Sequence, residues 1–134
     1  MINKIENRIM EIMRHYGFGD SEAAVMAILA THGKMTAKEI AKKTGYAYST
    51  IINALNFLKR TGFVIKEKKN RICIYSTNLD FVRIIEEDRA RLANLLKSLK
   101  DDIKDAEERY KGKLAHLILK IENALNYLNK SEVC

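Results

Sequence analysis

Apolar side chains recur along the first half of this 134-residue chain at the spacing that places them on one face of a helix. The pattern predicts amphipathic helices over residues 2–16, 21–32, 37–43 and 48–61. The predicted apolar face of the first helix consists of Ile2, Ile5, Ile9, Ile12, Met13 and Tyr16. That of the fourth consists of Ile51, Ala54, Leu55 and Leu58. Glycines close to the predicted helix ends favour short connections, because glycine easily adopts the left-handed backbone that ends a helix.

The third helix begins with a local signal of its own. Thr36 and Glu39 have the spacing of a capping box, in which each side chain accepts a hydrogen bond from the other residue's backbone amide. Gly45 suits the left-handed end of that helix, and Tyr46-Ala47 leaves room only for a short turn. The third and fourth helices are therefore predicted to form a helix-turn-helix.

A β-hairpin is predicted directly after these helices. Residues 63–68 and 71–76 alternate, or nearly alternate, between apolar and polar side chains, with Lys69-Asn70 between them. Asparagine is common in tight hairpin turns because it tolerates a left-handed backbone. Four cations, Lys66, Lys68, Lys69 and Arg71, are predicted to surround the tip.

From about residue 78 to residue 129 the pattern is purely helical. The predicted seams of apolar residues, spaced alternately by three and four as in coiled coils, are Leu92, Leu96, Leu99, Ile103, Ala106 and Tyr110, then Leu114, Ile118, Ile121, Leu125 and Leu128. Lys111-Gly112-Lys113 predicts a reversal between two helices, with one bent helix as the alternative. Such seams must pack on each other, on the first helix or on a second subunit.

The order of these elements is that of a winged helix-turn-helix, a DNA-reading fold. We expect a mainly α fold with a small hairpin wing. The predicted organisation is an N-terminal helix (1–17), a winged helix-turn-helix (18–77) and a C-terminal helical dimerisation region (78–134). The expected dimerisation residues are Ile5, Ile9, Leu92, Leu96, Leu99, Ile103, Leu114, Ile118, Ile121 and Leu125.

The charge distribution supports a DNA-binding first half. The formal net charge is +7, and residues 1–80 carry 13 basic against 7 acidic side chains, whereas residues 81–134 carry 11 against 10. A positive field on the predicted reading module suits a polyanionic partner. The opposing interpretation is a solvated, lysine-rich surface.

In a helix-turn-helix, the start of the second helix meets the base edges in the major groove. The candidates there are Tyr48, Ser49, Thr50 and Asn53, whose hydroxyl and amide groups can bond bases or phosphates. Ser49 and Thr50 could instead serve only as helix caps. Lys42 and Lys43 could hold the DNA backbone, or could only complement the end of their own helix.

Other functional classes find little support in the sequence. No phosphate-binding loop, catalytic motif or metal-ligand spacing occurs, so we expect no enzyme activity, no metal and no cofactor. Cys73 and Cys134 are interpreted as a small strand residue and a terminal thiol, although oxidation of Cys73 could disturb DNA contact. The absence of a long apolar run and of a signal peptide favours a cytoplasmic protein without a membrane partner.

Residues 18–76 resemble the winged-helix domains of archaeal and bacterial transcription regulators, closest to the TrmB-like and MarR/GbsR-like groups. The resemblance is carried by the motifs at residues 17–22, 36–45, 48–58 and 62–64. The resemblance implies that Tyr48, Ser49, Thr50 and Asn53 face the groove and that Lys68, Lys69 and Arg71 are wing contacts. This family often has serine where this chain has Ala47, so the cap of the fourth helix is expected from Ser49 instead. The sequence also lacks the large sugar-binding domain of full-length TrmB-like regulators, so sugar sensing is not carried over.

We therefore expect a homodimeric, sequence-specific transcription regulator that binds double-stranded DNA, with any small-molecule effector unidentified. Two alternatives stay open from the sequence. One is a winged-helix adaptor whose coiled coil docks a protein partner, since fold alone does not fix function. The other is a sequence-neutral architectural DNA-binding protein.

Overall fold

The computed structural model describes residues 2–130, except for the side chain of Glu107. Its elements are α1 (Lys4–His15), α2 (Asp20–His32), α3 (Ala37–Thr44), α4 (Tyr48–Arg60), β1 (Val64–Lys69), β2 (Ile72–Thr77), α5 (Phe81–Asp105), α6 (Glu107–Tyr110) and α7 (Ala115–Lys130). The chain divides into two compact units, Met1–Asp80 and Phe81–Cys134, called the first and second units below. The fold is mainly helical with a two-stranded hairpin, as the sequence predicts.

Helix α2 forms the centre of the first unit. All seven side chains from Ala23 to Leu29 are buried, and α2 contacts α1, α3, α4 and β2. A helix that is apolar around its whole circumference is stable in water only when other elements surround it. The remaining elements of the first unit are therefore arranged around α2.

Helices α3 and α4 form the predicted helix-turn-helix. The amide of Glu39 donates to Thr36 Oγ1 over 3.2 Å, and the amide of Thr36 donates to Glu39 Oε1 over 3.0 Å. Gly45 ends α3 in the left-handed conformation, with φ of 83°. The predicted apolar face of α4 is buried, which confirms the phase of this helix. That face consists of Ile51, Ala54, Leu55 and Leu58.

The hairpin has a different turn from the one predicted. Val64 pairs with Thr77 at its base and Lys69 with Ile72 at its tip, so that Asn70 and Arg71 occupy the turn. Both turn residues have positive φ, 50° and 67°, as a two-residue type I′ turn requires. The predicted Lys69-Asn70 turn was wrong by one residue.

The predicted apolar face of α1 was also wrong in part. The buried residues of α1 are Glu6, Met10 and Met13, whereas Ile5 is 67% exposed and Ile9 is half-buried. Of the predicted face, only Met13 is fully buried, and Ile2 lies before the helix.

Glu6 is fully buried, and three neighbouring groups compensate its carboxylate. The amide of Asn3 donates to Oε1 over 2.9 Å, Thr31 Oγ1 donates to Oε2 over 2.6 Å, and His32 Nε2 lies 2.8 Å from Oε2. Burial alone raises the pKa of Glu6, but these hydrogen bonds and the charge of His32 outweigh it and leave the pKa below its usual value. This cluster joins the start of α1 to the end of α2.

The second unit is a helical hairpin in which α5 and α7 pack together. Lys111 and Gly112 have φ of 49° and 77° and reverse the chain, which excludes the alternative of one bent helix. Ile103 and Ile121 are buried, and Lys100 Nζ lies 3.2 Å from Glu122 Oε1 across the two helices.

The predicted seam residues divide into two groups. Those that are buried or half-buried are Leu96, Ile103, Ala106, Leu114, Ile118, Ile121, Leu125 and Leu128. By contrast, Leu92 is 45% exposed, Leu99 is 41% exposed and Tyr110 is 42% exposed. Leu95, beside Leu92 and Leu99, is 62% exposed. The second unit therefore retains a row of exposed leucines on α5.

In the described part of the chain, none of the helices is long and apolar enough to cross a membrane. Cys73 is a free, half-buried thiol on β2, and Cys134 lies outside the described residues.

Candidate nucleic-acid interface

A polar stripe runs along the exposed side of α4. Ser49, Asn53, Asn56 and Arg60 are all exposed. At about 100° of rotation per residue, these four positions fall within about 60° of the helix circumference. The buried face of α4 lies on the opposite side, so the core of the first unit fixes the direction of this stripe.

The N-terminus of α4 is open. Ala47 is the N-cap residue and provides no side-chain hydrogen bond, and neither does Ser49, which was expected to cap. The first amides of α4 are therefore available, and amides at a helix N-terminus suit phosphate oxygens. Tyr48 is 52% exposed beside them, whereas Thr50 is half-buried and lies to one side of the stripe.

Two lysines lie at the end of α3. Lys42 and Lys43 are exposed in its last turn, and three residues separate the end of α3 from the start of α4. The amide and the hydroxyl of Thr36 lower the pKa of Glu39, and the charge of Lys43 contributes to the same effect. Both lysines are exposed, so both stay candidates for a phosphate contact.

The base of the wing is fixed to the helical part of the first unit. The amide of Met35 donates to the carbonyl of Tyr75 over 3.0 Å, and the amide of Tyr75 donates back over 2.8 Å. Thr77 Oγ1 donates to the carbonyl of Phe63 over 2.7 Å. Lys34 Nζ pairs with Glu67 Oε1 over 3.1 Å. These bonds hold the position of the hairpin from its base to about its middle.

The cations of the wing lie on both of its faces and at its tip. Residues opposite each other in the ladder share a face, so Lys66 and Lys68 lie on the face of Tyr75, and Lys69 lies on the other. Arg71 is in the turn itself, in a left-handed conformation that favours glycine. A hairpin with this distribution of charge can contact phosphates on both walls of a groove.

Sequence reasoning missed two residues of the α4 stripe, Asn56 and Arg60. The signal that could have found them is the helical phase itself, because they lie three and seven residues after Asn53. The other candidates on α4 and on the wing keep their roles as proposals.

These elements define a winged helix-turn-helix of the kind that transcription regulators use to bind DNA. The defining features are the order of the helices, the exposed polar side of α4 and the basic hairpin that is bonded at its base to Met35. Residues 13–80 match the family model described as "Sugar-specific transcriptional regulator TrmB", which is just over half of the chain, and the protein belongs to this family. The family consists of DNA-binding transcription regulators rather than enzymes.

Solved structures show the same fold at low identity. TrmBL2, described as an archaeal chromatin protein, superposes with a TM-score of 0.63 at 20% identity over 84% of this chain and 43% of its own. This chain therefore spans less than half the length of TrmBL2. ST1889 from Sulfolobus tokodaii gives a TM-score of 0.54 at 23% identity, over 72% of this chain and 98% of its own. The regulator Tm0710 from Thermotoga maritima gives a TM-score of 0.50 at 16% identity, over 91% of this chain and 89% of its own.

A search of curated proteins finds no match to this sequence.

Proposed function

We propose that the protein is a sequence-specific transcription regulator that binds DNA as a homodimer, with α4 in the major groove and the wing on the minor groove or its phosphates. The observation that carries the proposal is the polar stripe of α4, exposed directly opposite the core. A helix with hydroxyl, amide and guanidinium groups along its outer side suits base edges, which present both donors and acceptors.

The charge of the first unit supports the phosphate contacts. The first unit carries cations at the end of α3 and on the wing, and the uncapped N-terminus of α4 follows α3 after three residues. Phosphate contacts fix the position of the protein on the duplex, while base contacts select the sequence.

Exposed apolar side chains support a second copy as partner. In the second unit these include Ile85, Leu92, Leu95, Leu99, Leu117, Leu119 and Tyr127. Large apolar side chains that are exposed together on one helical hairpin favour a protein partner. A symmetric dimer would present two α4 helices about one DNA turn, roughly 34 Å, apart and would favour a pseudo-palindromic site.

The similarity to a chromatin protein makes sequence-neutral binding the second candidate. TrmBL2 is described as showing a novel mode of DNA binding, and this chain has lysines on both faces of its wing. Lysine contacts to phosphate contribute affinity without sequence information.

Genome-wide mapping of bound sites, together with affinities measured on purified DNA, tests the proposal. A specific regulator should occupy a few sites that share one motif and bind them at least about 10³-fold more tightly than random DNA. Uniform occupancy and a ratio near one would favour the architectural candidate. No measurable DNA binding would leave the protein-docking adaptor.

A further inference from the structure

The chemistry of the α4 stripe points to a particular kind of base pair. Asn53 and Asn56 are exposed neighbours on the stripe, three residues apart. Three residues rise about 4.5 Å along a helix, which is close to the roughly 3.4 Å between successive base pairs. The two amides can therefore reach adjacent or nearly adjacent base pairs in one groove.

A side-chain amide presents a donor and an acceptor side by side. In the major groove, adenine alone offers the complementary pair on one base, with a donor at N6 and an acceptor at N7. Guanine offers two acceptors, which would place the amide oxygen against O6 or N7, and cytosine offers a single donor. Two amides in succession therefore favour adenines.

Ile52 adds an apolar group beside the amides. It is half-buried, precedes Asn53 directly and lies one helical turn before Asn56. The thymine methyl group is the apolar feature of the major groove, and it belongs to the same base pair as adenine. The exposed part of Ile52 can pack on that methyl group.

The rest of α4 lacks competing chemistry in its central turns. The helix contains no aspartate or glutamate that could accept from cytosine N4, and its cations, Lys59 and Arg60, are confined to the last turn. Guanine recognition by arginine is therefore available only at one end of the contacted segment.

We propose that Asn53 and Asn56 each pair with one adenine on neighbouring A·T base pairs, and that Ile52 packs on a thymine methyl group of the same segment. This inference rests on the proposed function, because it requires α4 to lie in the major groove. It identifies A·T pairs as the chemical class that the centre of the half-site must contain.

The test begins with selection of bound duplexes from a random library, using the full chain. The enriched half-site should contain two adjacent or nearly adjacent A·T pairs. Exchange of either pair for G·C should weaken binding by about five- to 150-fold, the range for loss of a bidentate base contact.

Base analogues then assign the contacts. Replacement of adenine by 7-deazaadenine removes N7, and replacement of thymine by uracil removes the methyl group. Wild type should lose affinity in both cases. Asn53→Ala and Asn56→Ala should each be insensitive to the deaza substitution at one position, and Ile52→Ala should be insensitive to uracil. Asn7→Ala, an exposed asparagine on α1, should respond as wild type does.

The outcomes separate this inference from the proposed function. A selected half-site whose centre is G·C-rich, or asparagine variants that remain as sensitive to the analogues as wild type, would overturn the adenine assignment while specific regulation stands. A library that enriches no sequence would overturn both.

Discussion

Arg71 shows how one residue can combine a conformational cost with a functional gain. It occupies the second turn position of the wing with φ of 67°, where glycine is the favoured residue. A left-handed conformation costs a residue with a side chain roughly 1–2 kcal/mol. The cation is therefore held at the tip in spite of the turn's preference, which suits a role in DNA contact.

Arg71→Gly should separate these two effects. The variant should be more stable by about 0.5–1 kcal/mol, because glycine accepts the left-handed conformation without strain. It should also bind every DNA sequence more weakly and lower the slope of log K against log salt by about 0.9, the value for one lost phosphate contact. Thermal melts and fluorescence anisotropy across a salt series measure the two effects.

Arg71→Lys is the matched control for this change, since it keeps both the charge and the strain. It should retain the salt slope and the stability of wild type. If Arg71→Gly also keeps the full slope, the tip of the wing is not on DNA.

Asn53→Ala tests direct readout at a single side chain. The variant should lose about 1–3 kcal/mol of binding free energy on the selected site and far less on random DNA, because only the selected site offers the matching base edge. The free energy of unfolding should change by less than about 0.5 kcal/mol, as expected for an exposed position. Equal losses on both DNAs would assign Asn53 to phosphate.

Local chemistry made some residues predictable and left others undetermined. The capping box of Thr36 and Glu39 depends only on side-chain and backbone atoms within four residues, so the sequence identified it. The turn of the hairpin depends on which register buries Tyr75 and pairs it with Met35, and Met35 is distant in sequence. Asparagine at position 70 fits both registers, so the pattern alone could not choose between them.

At the scale of elements, α1 shows the limit of a periodicity argument. Its isoleucines suggested one apolar face, but α1 packs instead through Glu6, Met10 and Met13. A carboxylate can be buried only when its partners are present, and Thr31 and His32 are contributed by α2. No pattern within α1 reveals those partners. The fourth helix was predictable because its core face contains no polar residue.

Glu6→Ala should lower the free energy of unfolding by about 1–3 kcal/mol, because it removes the buried carboxylate that accepts from the Asn3 amide and the Thr31 hydroxyl and pairs with His32. Chemical denaturation measures this loss. Glu11→Ala, on the exposed side of the same helix, is the matched control and should change stability little.

The Glu6 cluster should also make stability depend on pH. The folded pKa of Glu6 lies below its usual value, so its contribution is complete above the unfolded pKa and is lost as pH falls through the folded pKa. Denaturation midpoints between neutral pH and about pH 3 should fall more steeply for wild type than for Glu6→Gln. Parallel curves would show that the carboxylate contributes nothing specific.

At the scale of the whole molecule, the sequence predicted the seams but not their partners. A heptad pattern states only that one side of a helix is apolar, and any complementary apolar surface can cover it. The seam of α7 packs within the second unit, where Ile121 is buried. Leu92, Leu95 and Leu99 of α5 remain exposed, so these residues, rather than Ile103, are the sharper test of a dimer.

Leu95→Asp combined with Leu99→Asp should convert a dimer into a folded monomer. Both side chains are already exposed in one chain, so the new charges cost little there, but at an interface they would be buried without partners. Analytical ultracentrifugation at micromolar concentration should show the change in mass, and circular dichroism should show retained helices. Binding to a two-half-site DNA should weaken more than binding to one half-site.

Two further variants serve as controls for this experiment. Lys97→Glu also adds a carboxylate on α5 but removes no apolar side chain, and should remain a dimer. Ile103→Asp should unfold the second unit, because Ile103 is only 7% exposed. A wild-type protein that sediments as a monomer would remove the argument for paired half-sites.

The unpaired edge of β1 gives the wing lysines a second role, which is to protect that edge from association. Within residues 2–130, β1 pairs only with β2, and the far side of β2 is bridged by Met35, so the outer edge of β1 carries unpaired backbone groups. Ile65 and Ile72 are more than half exposed on the same hairpin, and an apolar open edge invites strand addition from another copy. Lysines along such an edge oppose aggregation. A neutral replacement such as Lys68→Ala would therefore both weaken DNA binding and promote fibre-like association. Lys68→Glu would reverse the charge at this position but would keep a charged side chain on the edge, so the edge would stay protected.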